Sequence, residues 1–226
     1  DVAVNYAHWV DPDRWLKKVQ TKKKVQWIHT DHLLALGDLP FKRANSCLGI
    51  DWFICVSKKV EESMLKLHPE VASNMSVIHN VLNQEKVREH AKEIKDCFPK
   101  DGLCNVLSAG HLFKVKAYDR AIRVHSRLDK EGIHFCWYVA GEGRERPVLE
   151  KLIEEHHLEG KFILLGQQSN PYPYMLQADI YAHPSLCEGC SVAINEAKVL
   201  GKPIIATDVG GAREQIDSER NGLVVD

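Results

Sequence analysis

The 226-residue sequence has no charge bias, no long apolar run, no even set of cysteines, no internal repeat and no low-complexity tract. Each absence excludes something. With 30 Lys and Arg against 31 Asp and Glu the net charge is -1, so bulk electrostatics gives no reason to expect nucleic acid as a partner. No apolar run approaches the roughly 20 residues that span a bilayer as a helix, and no signal-peptide pattern opens the chain. The seven cysteines, Cys47, Cys55, Cys97, Cys104, Cys136, Cys187 and Cys190, are odd in number. Cys55 and Cys136 lie in apolar strand-like runs, so the set reads as reduced, buried thiols in a cytoplasmic protein. Cys187 and Cys190 have the two-residue gap of a zinc or redox pair, but no second pair accompanies them, and no metal is expected there.

What is present is ample material for a core: 44% of residues are hydrophobic and 27% charged, ordinary values for a soluble protein. The length allows one large or two small domains. The row begins at Asp1, directly in the strand-like run Val2–Ala7, and stops at Asp226 just after Leu223-Val224-Val225. Such ends read as those of a fragment, or of a chain whose termini are not included.

Residues 1–98 alternate strand-like and helix-like stretches. Val2–Ala7, Val25–His29, Asp51–Ser57 and Met75–Asn80 are apolar runs of strand length. Asp11-Pro12-Asp13 is a helix start, followed by Trp15, Leu16 and Val19 at helical spacing. Ser57 is placed to cap a helix carrying Val60, Met64 and Leu65, and residues 84–96 form a polar helix with Val87, Ala91 and Ile94 on its apolar side. Lys17, Lys18, Lys22, Lys23 and Lys24 read as a solvated basic face; peripheral contact with anionic lipid is the other use of such a patch. Cys97-Phe98-Pro99-Lys100-Asp101-Gly102 then reads as the domain boundary.

From 102 to 226 the alternation restarts. Leu103–Ala109, His134–Ala140, Lys161–Leu165, Ala178–Ala182 and Pro203–Thr207 are strands. Between them come a helix with Ala121, Val124 and Leu128 facing inward, a second over Pro147–His156, and a third begun by Asn170-Pro171. Tyr172 and Tyr174 read as packing residues of that third helix. The fold class is α/β, with parallel sheets covered on both faces and ligands expected at the carboxyl ends of strands. His29, Gly110, Gly141, Gly166 and Glu188 fall at such ends. Ala182–Gly201 reads as strand, tight turn and helix, with Glu188 in the turn and Glu196 inside the helix, roughly 7 Å along its axis from a start near Ser191.

The ordered motifs carry a family resemblance. They are Gly110-x5-Lys116-x2-Asp119, Val139-Ala140-Gly141-Glu142-Gly143, Leu165-Gly166 and Ser169-Asn170-Pro171-Tyr172-Pro173-Tyr174. They continue with Ala178-Asp179, Pro184-Ser185, Glu188-x7-Glu196, Gly201-x-Pro203 and Thr207-Asp208-Val209-Gly210-Gly211. As a set, residues 103–225 resemble the donor-binding domain of retaining GT-B glycosyltransferases of the group 1 type, which build bacterial polysaccharides and glycolipids. The first part resembles, more loosely, the back half of the family's acceptor domain, through Trp27-Ile28-His29-Thr30-Asp31 and Val56-Ser57.

The resemblance implies two Rossmann-like domains, 1–98 incomplete and on the acceptor side, 102–226 binding the donor. It implies transfer of a hexosyl group, with the anomeric configuration kept, from a UDP- or GDP-linked sugar to a glycan or lipid-linked acceptor. Lys116 and the turn Gly189-Cys190-Ser191 at a helix start would stabilise the leaving diphosphate. Glu196 would accept from the ribose hydroxyls. Gly110 and His111 belong to the same donor site, Gly166 would meet the base through backbone, and Glu188 and His29 would orient the sugar. No cofactor or metal is required, since the lysine and helix dipole take the cation's role. The protein would be cytoplasmic, with peripheral contact at the inner face of the membrane. Two departures stand out: His111 replaces the family's arginine, and both the opening glycine-rich loop and the C-terminal helical closure are missing. The donor half is therefore expected to be intact, while the chain alone need not turn over. The alternatives are a non-catalytic nucleotide-sugar-binding fragment and a nucleotide-sugar epimerase of the same architecture.

Overall fold

The computed structural model describes residues 1–6, 16–34, 47–94, 96–218 and 220–226. The elements in chain order are β1 (Val2–Asn5), β2 (Lys23–Ile28), β3 (Trp52–Cys55), α1 (Lys58–Leu67), β4 (Met75–Val77) and α2 (Gln84–His90). Then come β5 (Cys104–Ala109), α3 (Tyr118–Lys130), β6 (Phe135–Ala140), α4 (Arg146–Glu155), β7 (Phe162–Gly166) and α5 (Tyr172–Gln177). The chain continues with β8 (Ile180–His183), α6 (Val192–Val199), β9 (Ile204–Thr207), α7 (Ala212–Gln215) and β10 (Gly222–Val225). Two compact units result. The first comprises Asp1–Val81, Cys187–Ser191 and Val209–Gln215; the second comprises Leu82–Leu186, Val192–Asp208 and Ile216–Asp226.

In the first unit the four strands form a parallel sheet in the order β1-β2-β3-β4. Strand alternation turns Ile28, Phe53 and Cys55 to one face, where they meet Val60 and Met64 of α1 in a common core. Ser57 caps α1 as its position predicts: its Oγ accepts from the Val60 N–H at 3.2 Å. The helix start read at Asp11-Pro12-Asp13 lies outside the described residues; beyond it Leu16–Lys18 form a single tight 3-10 turn. Of the basic patch, Lys18, Lys22 and Lys23 are exposed, and Lys23 Nζ meets Asp51 Oδ1 at 3.0 Å.

In the second unit six parallel strands run in the order β10-β9-β8-β5-β6-β7. The unit's first strand, β5, is therefore internal. Strands β6 and β7 follow on one side of it and β8, β9 and β10 on the other, so the order reverses between β5 and β8. In doubly wound sheets that reversal opens the crevice in which ligands lie. All six residues of β6 are buried, as a strand covered on both faces requires.

Three expectations are corrected. The helix read over 84–96 ends at His90, and Ile94 is 44% exposed. Beyond it the backbone is bonded from a distance: Asn170 Nδ2 donates to His90 O at 2.9 Å, and Gln177 Nε2 donates to Ile94 O at 2.9 Å. These bonds, with Val87 and Ala91 in the second unit's core, put α2 in that unit, and the changeover falls between Val81 and Leu82 rather than at 97–102. Val124 is 52% exposed, because the buried arc of α3 runs through Tyr118, Ala121, Ile122 and His125. Among the described residues no helix is long and apolar enough to cross a membrane.

His125 is fully buried and stacks on Phe135 with ring centroids 4.1 Å apart. Burial pushes its pKa down from 6.5, against weaker raising effects of the Phe135 backbone and Asp129. The folded state thus holds His125 neutral where the unfolded chain would protonate it, so its share of stability is present above pH 6.5 and lost as pH falls below that value. His125→Phe should flatten the pH dependence of unfolding between about pH 6.5 and 5, by at most ~1.4 kcal/mol per pH unit. Denaturant midpoints at several pH values measure this, and a slope equal to that of the wild type would refute it.

Candidate functional site

At the carboxyl ends of β5, β6 and β7 the backbone is stitched directly to itself. Gly110 N donates to Ala140 O at 3.0 Å, Gly141 N to Gly166 O at 2.9 Å, and Leu112 N to Glu142 O at 2.9 Å. A Cβ on Gly141 would overlap the carbonyl of Gly110, so the close approach requires glycine. Lys116 sits at the end of the turn Lys114–Lys116, and its chain runs back along Gly110: Cε lies 3.5 Å from where a Cβ on Gly110 would be. The same loop carries His111, exposed and stacked on Phe113 with centroids 5.4 Å apart, and Arg144 sets its guanidinium 5.5 Å from the Phe113 ring. Gly110, His111, Lys116 and Gly166 are thus brought together in the second unit, beside the strand-order reversal.

Beside Gly166 lies Glu142, whose Oε1 is 3.3 Å from a Cβ built there. Arg146 Nε donates to both Glu142 oxygens, at 2.9 and 3.0 Å, and its guanidinium holds the Glu142 carboxyl below the usual range. On α6, Glu196 is half-buried. Burial pushes its pKa up, and the Tyr172 hydroxyl, donating to Glu196 Oε1 at 2.8 Å, opposes that rise. Tyr172 itself is pushed up to about 12, first by burial and then by Glu196. Tyr172 therefore does more than pack its helix: it orients the carboxylate.

The remaining predicted residues lie in the first unit. Residues 188–191 form a loop whose four successive carbonyls are all engaged. Glu188 O accepts from Asp31 N at 3.2 Å. Gly189 O accepts from Ser57 Oγ at 3.0 Å and Gly211 N at 2.6 Å. Cys190 O accepts from Asn80 Nδ2 at 2.9 Å, and Ser191 O from Gln215 Nε2 at 2.7 Å. A Cβ on Gly189 would collide with the His29 carbonyl, so the loop lies directly against the end of β2. Cys187 and Cys190 are buried cysteines outside any disulfide. His29 is half-buried, its ring 4.4 Å from that of Tyr6, and burial lowers its pKa against a hydrogen bond with the Tyr6 backbone. It is therefore a neutral imidazole at pH 7.

The sequence reading passed over two residues here: Gln215, which holds this loop, and Glu214, which holds the start of α1. Gln215 Oε1 accepts from Ser191 N at 3.0 Å, so the N–H read as a donor to phosphate is given to a side-chain amide. Glu214 binds the opening N–H groups of α1, accepting from Lys58 N at 2.9 Å and Lys59 N at 3.0 Å. Nothing local marks either role, because the partners lie 24 and more than 150 residues away.

Gln215→Leu would leave buried Ser191 groups without the amide that now meets both. Stability should fall by about 1–3 kcal/mol for each group left unsatisfied, read as a lower urea midpoint at unchanged slope. A midpoint within error of the wild type would show that the clamp does not matter.

The profile of the family described as Glycosyl transferases group 1 matches residues 81–226. An N-acetylgalactosamine-N,N'-diacetylbacillosaminyl-diphospho-undecaprenol 4-alpha-N-acetylgalactosaminyltransferase of Campylobacter jejuni is 32% identical over 151 residues, 66% of this chain and 40% of that protein. The phosphatidylinositol N-acetylglucosaminyltransferase GPI3 subunit of Saccharomyces cerevisiae is 30% identical over 208 residues, 86% of this chain and 45% of that protein. The chain thus spans less than half the length of these relatives. Among solved structures, Anabaena HepE in complex with UDP superposes with a TM-score of 0.76 at 19% identity, covering 90% of this chain and 58% of that one. At that identity the likeness speaks to the fold, a pair of parallel-sheet α/β units of the GT-B class. With the profile matched from Leu82 through the whole second unit, where Gly110, Lys116, Gly166 and Glu196 stand, the chain belongs to the group 1 glycosyl transferases.

Proposed function

We propose that the second unit binds a nucleotide diphosphate sugar and that the protein carrying it transfers the sugar, with anomeric configuration retained, to a lipid-linked or glycan acceptor. The observation that carries this reading is the gathering of Gly110, Lys116, Gly141 and Gly166 at three stitched strand ends beside the point of strand-order reversal. Glycine there leaves the backbone surface open to close approach by a diphosphate, and Lys116 adds a point charge; the N–H groups of Gly110, Leu112 and Gly141 themselves are given to the carbonyls of Ala140, Glu142 and Gly166. Glu196, oriented by Tyr172, accepts from a pair of ribose hydroxyls, and Gly166 with its neighbours meets the base. The relatives support the acceptor class: one is named for a diphospho-undecaprenol substrate and the other for phosphatidylinositol. HepE, seen with UDP, supports a uridine donor.

Chemically, departure of a nucleoside diphosphate from the anomeric carbon builds negative charge on the leaving oxygen. Preorganised cationic and N–H groups that meet this charge lower the barrier more than they strengthen ground-state binding. In this reading Lys116 does the work that a divalent cation does in other transferases. Glu188 and His29 share the first unit, and the neutral His29 can meet a sugar hydroxyl by hydrogen bonding without adding charge.

Isothermal titration with UDP and a UDP-sugar tests the binding role. Glu196→Gln should weaken binding about 10- to 100-fold, the worth of a charged hydrogen bond, and Lys116→Ala should weaken UDP more than uridine. Equal affinity in the variants and wild type would sink these assignments. Because burial raises the Glu196 pKa, wild-type affinity should fall on acidification at a pH above that of an ordinary glutamate, and Glu196→Gln should lose that limb.

A further inference from the structure

Among the described residues, away from the strand ends, one mixed set of metal-ligating side chains converges in the first unit. Cys47 lies in the turn before β3, His68 ends α1, and Glu70 lies in the 3-10 turn Pro69–Asn74 that follows. A sulfur, a ring nitrogen and a carboxylate oxygen from these three residues lie within 4.8 Å of one another. Cys47 and His68 are buried, at 7% and 5% exposure, while Glu70 reaches solvent. His68 Nδ1 is 3.0 Å from Glu70 Oε1. Two ligand atoms of a tetrahedral zinc with bonds near 2.0–2.1 Å stand about 3.3 Å apart, so His68 and Glu70 are already near ligand spacing, and the cluster as a whole, within 4.8 Å, would contract to close on an ion.

A second, independent feature favours a cation at the same place. The ten-residue helix α1 ends at His68, whose N–H donates to Met64 O at 2.7 Å, so the negative end of the helix dipole is directed at the cluster. With a divalent ion, one thiolate and one carboxylate bring the net charge to zero, and His68 completes the set as a neutral imidazole.

We propose that Cys47, His68 and Glu70 bind a zinc-class divalent cation, with a fourth position filled by water. Sulfur and imidazole ligands select zinc and its neighbours over magnesium and calcium, which take oxygen. Bound metal would tie the turn that feeds β3 to the end of α1, a structural link between segments about 20 residues apart in sequence. Binding at pH 7 releases the thiol proton, since free cysteine is mostly protonated there.

The test strips the purified chain with a chelator and titrates it with cobalt(II), reading thiolate-to-cobalt charge transfer in the near ultraviolet. The wild type should take up one ion per chain with that band, zinc should displace it, and Cys47→Ser should lose the band. Glu70→Gln, at an exposed position that leaves the fold intact, should weaken cobalt affinity at least ~10-fold, as altering a metal's close surroundings does. If Cys47→Ser fails to fold by circular dichroism, Glu70→Gln decides. No uptake by the wild type, a band that persists in a folded Cys47→Ser, or unchanged affinity in Glu70→Gln would overturn the site.

Discussion

The second unit depends on one constraint: the backbones leaving β5 and β6 approach too closely for a side chain at Gly141 or Gly143, and those leaving β5, β6 and β7 bond to each other. Gly110 to Ala140, Gly141 to Gly166 and Leu112 to Glu142 are all main-chain pairs. Because no side chain stands between them, the three loops form a single surface whose donors and acceptors are fixed by the sheet. Lys116 inherits its place from that surface, lying along Gly110. A site built this way is preorganised, which is what stabilising a charge that appears only in the transition state requires.

The first unit shows the opposite strategy. Its loop 188–191 is held by polar side chains from distant parts of the chain, Ser57, Asn80 and Gln215, and by backbone from Asp31 and Gly211. Each engaged carbonyl is one that the loop would otherwise leave unsatisfied, so four consecutive residues are fixed without regular secondary structure. Glu214 and Gln215, adjacent on the short helix α7, serve two different partners: one binds the start of α1 and the other binds Ser191. The loop's geometry is therefore as dependent on residues 211–215 as on its own sequence.

Much of the fold was legible because its signals are local. Apolar runs of strand length, Ser57 before Val60, and glycine at the ends of β5, β6 and β7 each carry their own explanation, and the structure has strands, a cap and close backbone approaches there. Several of the failures involve polar contacts from far along the chain. Helix α2 ends at His90, where Asn170 and Gln177, about 80 residues on, bond the carbonyls of His90 and Ile94. The role of Tyr172 needed Glu196, and that of Gln215 needed Ser191. Long-range hydrogen bonds between polar side chains leave no periodicity in a sequence, so glycine and lysine positions were readable while the residues that orient them were not.

The central claim, that the stitched strand ends of the second unit bind a nucleoside diphosphate, is tested most directly by titrating the isotope-labelled chain with UDP and following backbone amide shifts by NMR. The account predicts that the largest changes fall on Gly110–Ala117, Gly141–Gly143, Gly166 and the first turn of α6. Changes confined to the amino ends of β5, β6 and β7, or no saturable change at millimolar UDP, would contradict it.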